Sequence, residues 1–290
     1  MCRLFGMSAG PERVKATFWL LDAPDSLSVQ SHREPDGTGL GWFDREDRPL
    51  ISKQARAAYG DREFARRAHE LESRTFIAHI RFASTGALEL RNTHPFEQHG
   101  RLFAHNGVIE DLPALEAQLG SARELVDGDT DSERFFALIT RDVEASGGDV
   151  ERGIASACLW VARNLPLLAI NFVLVSAEGM WALRYPDTHE LHLLEREPGA
   201  RLEHRSRFGT RVTSEHAAGT PLVVIASERM DEDPAWRALG SGELVHVTPT
   251  LEVRSKRIIE GPPSKPIGLA DLEPRARASQ AATPGPETPA

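Results

Sequence analysis

The sequence predicts an α+β fold in which two sheets pack together with helices outside them. Segments that read as strands come first, a run of helices follows, and a second run of strands completes the series, whereas a doubly wound sheet would alternate strand and crossover helix. The chain has 290 residues, of which 40% are hydrophobic and 23 are glycine, about 48% together. That lies within the roughly 45–50% typical of globular chains. At about 150 residues per domain the length suits one or two domains, and the layered reading assigns residues 1–260 to a single one.

Taken in order, residues 2–9 alternate loosely around Leu4, Phe5 and Met7 and stop at Gly10-Pro11, as a strand does. Residues 14–21 read as a short helix. Residues 31–41 (SHREPDGTGLG) are dense in Gly, Pro and Asp and read as a loop opening into an aromatic strand at 40–43. Helical spacing at 62–71 leads to a β-branched and aromatic strand at 75–83, TFIAHIRFA. A second strand, LFAHNGVI at 102–109, follows a Pro-containing loop. Residues 111–119, 132–144 and 151–164 read as helices, the second behind an acidic cap at Asp131. Cys158 falls on the apolar stripe of the third with Ile154, Val161 and Leu165, so it reads as a small core residue. Six more strands are expected at 167–176, 180–185, 190–194, 221–226, 243–247 and 251–255. Seven prolines and few large apolar residues in 261–290 predict a disordered tail.

The net charge of −9, from 34 Lys and Arg against 43 Asp and Glu, leaves no basic excess for phosphates and argues against nucleic acid as the partner. No stretch approaches the roughly 20 apolar residues that cross a bilayer. The most apolar run, 165–175, contains Pro166 and Asn171. With no signal-like start either, the expectation is a soluble cytoplasmic protein without a membrane partner. His79, His94, His99 and His105 crowd one stretch, but their spacing fits no helical ligand pattern, so neither a metal nor a cofactor is expected. The two cysteines, Cys2 and Cys158, are too few for a disulfide framework. Removal of Met1 would make Cys2 the first residue.

Polar groups concentrate in MCRLFG at 1–6, DGTGLGW at 36–42, IRFASTG at 80–86, NTHPF at 92–96, AHNGVI at 104–109 and TDSE at 130–133. Asn106-Gly107 would ordinarily signal a turn, yet it sits inside an apolar run. Together, in this order, these motifs resemble those of the class II glutamine amidotransferases, which are N-terminal nucleophile hydrolases. The resemblance implies a four-layer αββα sandwich of two mainly antiparallel sheets. The later segment at 227–247, SERMDEDPAWRALGSGELVHV, looks like the end of the same domain in stand-alone members, a subgroup that includes the γ-glutamyl amidohydrolase of ergothioneine synthesis.

What the resemblance implies is hydrolysis of a γ-glutamyl amide through a thioester on Cys2. A free α-amine with a pKa near ~7.7–8.0 serves as the base when the nucleophile is the first residue. By the same resemblance the Asn106 amide and the Gly107 N–H hold the oxyanion. Arg81 grips the substrate α-carboxylate, Asp131 holds its α-ammonium, Ser84 adds a hydroxyl contact and His94 lines the pocket. This chain departs from many relatives in having His32-Arg33-Glu34-Pro35 before Asp36-Gly37, where they have His-Arg-Gly, and in having Phe82 after Arg81, where Trp or Tyr is common. Three readings follow: a stand-alone amidohydrolase acting on glutamine or a γ-glutamyl compound, a glutaminase subunit feeding ammonia to a separate synthase, or a catalytically silent binding protein of the same fold.

Overall fold

The computed structural model describes residues 2–33, 36–81, 89–197, 203–205, 211–213 and 219–280. Its strands are β1 (Arg3–Ser8), β2 (Gly37–Phe43), β3 (Pro49–Gln54), β4 (Thr75–Arg81), β5 (Phe96–Gln98), β6 (Arg101–Ile109), β7 (Pro166–Ser176), β8 (Gly179–Arg184), β9 (His192–Arg196), β10 (Glu203–Arg205), β11 (Arg211–Thr213), β12 (Leu222–Ala226), β13 (Arg237–Ala238), β14 (Glu243–Val247), β15 (Val253–Arg257) and β16 (Lys265–Pro266). The helices are α1 (Leu27–Gln30), α2 (Arg62–Glu70), α3 (Leu112–Leu119), α4 (Asp131–Ala145), α5 (Val150–Asn164) and α6 (Pro274–Gln280).

Alternation along the strands decides the layers. In β1, Leu4 faces a second sheet, while Phe5 and Met7 face outward toward α2 and the turn at Phe18–Asp22. The first sheet has the order β13-β9-β12-β1-β4-β2-β3, and the second runs β15-β14-β8-β7-β6-β5 with β16 paired to β7. All pairings are antiparallel except β16 with β7. Leu4, Ile77, Leu102, Ala104, Val173 and Val245 fill the space between the sheets. On the outer face of the second sheet, Phe103, Phe172 and Leu174 meet Phe135 and Phe136 of α4 and Ile154 and Cys158 of α5. The result is the expected four-layer αββα sandwich. Cys158 is fully buried, and burial pushes its thiol pKa up.

Several elements differ from the sequence expectation for identifiable reasons. The stretch 31–41 does not stay a loop, because β2 begins at Gly37. A Cβ on Gly39 would overlap the His94 carbonyl, and one on Gly41 would sit 2.8 Å from Leu102. These glycines admit a crossing segment to the face of a strand. The short helix expected at 14–21 is present as one π-helical turn, Phe18–Asp22, and starts late because Val14 bridges to Ser73 in an extended conformation. The cap of α4 is Thr130, whose hydroxyl accepts from the Glu133 N–H at 3.2 Å, and Asp131 is the first helical residue instead. The strands expected at 190–194 and 251–255 lie two residues later, and β3 was not anticipated. The tail expected to be disordered is packed as far as residue 280. There β16 lies along β7, and Leu272 and Ala276 are 3% and 6% exposed against Val108 and Leu168. Few apolar residues suffice because they meet an open apolar spot. Residues 281–290 lie outside the described residues.

Helices α4 and α5 approach most closely at Gly153, where a Cβ would lie 2.5 Å from the Val143 backbone nitrogen. Alanine normally improves a helix interior by about 1 kcal/mol over glycine. Here Gly153→Ala should instead destabilise the protein by about 1–3 kcal/mol through overpacking. Urea denaturation checks this, with Gly60→Ala, whose Cβ would meet nothing within 4 Å, as the near-neutral control.

Candidate active site

The described residues of the six motifs lie on neighbouring strands and on the start of α4. Cys2 precedes β1 and is 7% exposed. Across the gap between the sheets, Nδ2 of Asn106 on β6 donates to the Cys2 carbonyl at 3.0 Å. This bond joins residues that lie 104 positions apart. The Asn106 Oδ1 is buried with no hydrogen-bond partner among the described residues.

Gly107 follows, and its lack of a side chain has a steric cause. A Cβ there would overlap the Ala169 carbonyl of β7 and sit 2.8 Å from Nε2 of His105. The glycine therefore lets two backbones close on each other. His105 holds the same region from the helix side: its Nε2 lies 3.3 Å from the Ala169 carbonyl and its Nδ1 2.9 Å from the Ser132 hydroxyl. A carbonyl only accepts, so Nε2 carries the hydrogen in this arrangement and Nδ1 accepts from Ser132. Burial lowers the pKa of His105, so the ring stays neutral.

Asp131 is 4% exposed, and its Oδ2 accepts from the Ile109 N–H at 2.9 Å. The start of α4 is thereby tied to the strand that carries Asn106 and Gly107, with the carboxylate in the favourable first turn of a helix. A second tie runs through Asn92, whose Nδ2 donates to Asp129 at 3.3 Å and whose Oδ1 accepts from the Asp129 N–H at 2.8 Å.

Arg81 is the last residue of β4 and 4% exposed. Gly37 pairs with it, and the Asp36 N–H donates to its carbonyl at 3.1 Å, so the start of β2 lies alongside it. His94 is buried, with its ring 4.2 Å from His79 and edge-on to Phe96 at 4.7 Å. Burial, aided by the Arg81 charge, takes His79 down to about 3, and burial with the His79 ring likewise depresses His94. Lys53 sits 5.0 Å over the Phe96 ring, where burial lowers it to about 8. Cys2 and Asn106, Asp131 and β6, and Arg81, His79 and His94 are thus assembled. Ser84 and Phe82 lie outside the described residues. Among the described residues no cluster of three His, Cys, Asp or Glu side chains is arranged to hold a metal ion.

An ionic group that the sequence reading missed backs β1 on its other face. Arg3, 1% exposed, pairs with Glu228 at 2.7 Å, and Arg33 pairs with Asp25 at 2.9 Å. Burial, opposed by Arg33 and reinforced by the Glu228 carboxylate, pushes Asp25 up to about 6. Asp25 and Glu228 stand too far apart in the chain to form a motif. Asn92 and Ser132 were legible only as members of NTHPF and TDSE, with no signal of what they tie.

The sequence model for "Glutamine amidotransferases class-II" matches residues 1–258. The chain belongs to the class II glutamine amidotransferases and is an enzyme of that family. It is 29% identical over 258 residues to a Mycobacterium tuberculosis protein described as gamma-glutamyl-hercynylcysteine sulfoxide hydrolase, covering 86% of this chain and 93% of the relative. The solved class II domain protein from Silicibacter pomeroyi superposes with a TM-score of 0.57 at 21% identity, over 88% of this chain and 99% of that one. The glutamine phosphoribosylpyrophosphate amidotransferase from B. subtilis superposes with a TM-score of 0.60 at 18% identity, over 90% of this chain but 50% of its own. This chain therefore spans half the length of that enzyme.

Asp25 makes a signed pH prediction. Its folded value of about 6 exceeds the ordinary 3.8, so its contribution to stability is present in full below about pH 4 and is lost as pH rises through about 6. Stability of the wild type relative to Asp25→Asn should therefore fall between pH 4 and pH 7, measured by urea denaturation at each pH. A flat difference would show that the carboxyl is not held protonated.

Proposed function

We propose that the enzyme hydrolyses the γ-amide bond of a γ-glutamyl conjugate, with Cys2 as an N-terminal nucleophile after removal of Met1. The observation that carries this reading is the 3.0 Å hydrogen bond from the Asn106 amide to the Cys2 carbonyl, which sets an oxyanion donor beside the nucleophile. The Cys2 α-amine takes the thiol proton as sulfur attacks the γ-carbonyl carbon. The second Nδ2 hydrogen of Asn106 and the Gly107 N–H receive the negative oxygen of the tetrahedral adduct. Collapse expels the amine, which leaves with the proton held by the α-ammonium, and a thioester remains. Water activated by the same α-amine then attacks the thioester, releasing glutamate and restoring the thiol.

The glutamyl end carries both charges at neutral pH. Arg81 suits the α-carboxylate, because a guanidinium offers two parallel donors to it. The buried Asp131 carboxylate suits the α-ammonium, Ser84 adds a hydroxyl to the carboxylate contact, and His94 forms an uncharged wall. Burial holds the imidazoles of His79, His94 and His105 neutral, so the cationic side chains near this wall are Arg81 and Lys53. Hydrolysis, rather than ammonia delivery, is supported by the likeness to the mycobacterial hydrolase over 93% of that protein's length.

Intact-mass measurement should show loss of Met1 and one adduct from a glutamine-analogue electrophile, absent in Cys2→Ala. Retention of Met1 with no adduct would overturn the reading. Asn106→Ala should lower kcat by about 10²–10³-fold, the effect of removing one oxyanion donor, in an assay of glutamate release from γ-glutamyl amides. Glutamate release only in the presence of an added synthase would assign the chain instead to the ammonia-delivering subunits.

A further inference from the structure

Among the described residues, the strand proposed to carry the oxyanion donors is paired on both edges only at its start. β5 covers β6 only where Phe96, Glu97 and Gln98 face Phe103, Leu102 and Arg101. Beyond Phe103, the described ladder on β6 is the one to β7 alone. That ladder is itself irregular at the critical end: Val108 faces Ala169, Ile109 faces Leu167, and Leu168 is left with no residue opposite. Bulges of this kind bend a strand and break its pairing. This one would leave Val108, one residue beyond Gly107 and two beyond Asn106, and Leu168 of the neighbouring strand as apolar side chains at the open end of the sandwich.

The C-terminal segment covers this spot. Ser264 and Ile267 donate backbone hydrogen bonds to Ala162 and Leu167 at 2.9 and 3.1 Å, while β16 runs beside Pro166 and Leu167. Leu272 and Ala276 then close over Val108 and Leu168, which are left 3% and 1% exposed. The turn that presents Leu272 is locked by the Arg277 guanidinium, which donates to the carbonyls of Leu269 at 2.9 Å, Ala270 at 2.6 Å and Leu272 at 3.2 Å. All of this lies beyond residue 258, where the family match ends.

We propose that Leu272 and Ala276 are positioning residues for the oxyanion strand: by clamping Val108 and the bulged Leu168, the C-terminal segment holds Asn106 and Gly107 in register with Cys2. The segment acts through Val108, and its loss would let the end of β6 move by the small distances that misalign an oxyanion donor. The catalytic consequence rests on the function proposed above, whereas the clamp itself does not.

The test compares full-length wild type with Leu272→Ala, Ala276→Glu and the size-conserving Leu272→Met. Hydrogen exchange of the 104–109 backbone reads the clamp directly and needs no activity. Protection there should fall at least about tenfold in Leu272→Ala and Ala276→Glu, with the β1 and β12 amides unchanged, and recover in Leu272→Met. For γ-glutamyl hydrolysis, kcat should fall about tenfold with KM within about twofold, because an interaction made in the transition state is being lost. Unchanged protection at 104–109, or a uniform loss across both sheets, overturns the clamp. Lost protection with unchanged kcat, or with a raised KM alone, overturns its catalytic role. A wild type that neither hydrolyses nor labels at Cys2 refutes the functional reading instead, while the exchange result still decides the clamp.

Discussion

One hydrogen bond spans the two layers where the chemistry is concentrated, from the Asn106 amide on β6 to the carbonyl of Cys2 ahead of β1. Apolar side chains such as Leu4, Ile77, Ala104 and Val173 also pack between the two sheets, and they set the spacing of the sheets but not their alignment. Apolar contact is non-directional. A buried amide is directional, and leaving it unmade costs about 1–3 kcal/mol, so this bond selects one relative placement of the nucleophile strand and the donor strand.

The surrounding architecture keeps that placement available. Gly107 lets β6 close on the Ala169 carbonyl, and Gly39 lets β2 lie under the His94 carbonyl. His105 braces the first approach through Ala169 and Ser132, and Asp131 braces the same strand through the Ile109 N–H. The ionic group of Arg3, Glu228, Asp25 and Arg33 supports β1 from outside, and the C-terminal segment supports β6 from the open end. Rigid elements on every side are what a site needs if its donors are to wait in place for a charge that develops only during reaction.

Legibility followed the range of the interaction. The major helices α2, α3, α4 and α5 and the strands β1, β4, β6, β7, β8, β12 and β14 are readable because the helices carry apolar residues at helical spacing and the strands are short apolar, β-branched runs, as strands buried on both faces are. Where a distant segment decided the outcome, the reading slipped. The glycines at 37–41 looked like a loop until His94 crossed them, and the proline-rich tail looked disordered until Val108 and Leu168 offered a place to dock. Thr130 rather than Asp131 caps α4 because Asp131 is engaged by β6.

By itself the sequence determined the family and the αββα layering and marked Cys2, Arg81, Ser84, His94, Asn106, Gly107 and Asp131 as a candidate set, because each motif is short and carries its residues within a few positions of one another. Only the tertiary structure decided how those motifs are joined: the reach of Asn106 to Cys2, the seat of Asp131 on Ile109, the pairing of Asn92 with Asp129 and the support from Glu228, Asp25 and the C-terminal segment. These contacts link residues as many as 225 positions apart, as Arg3 and Glu228 are. Hydrogen bonds and ion pairs between such residues depend on distances of a few ångströms that no local pattern encodes, and they exist only once the apolar layers have brought the strands together.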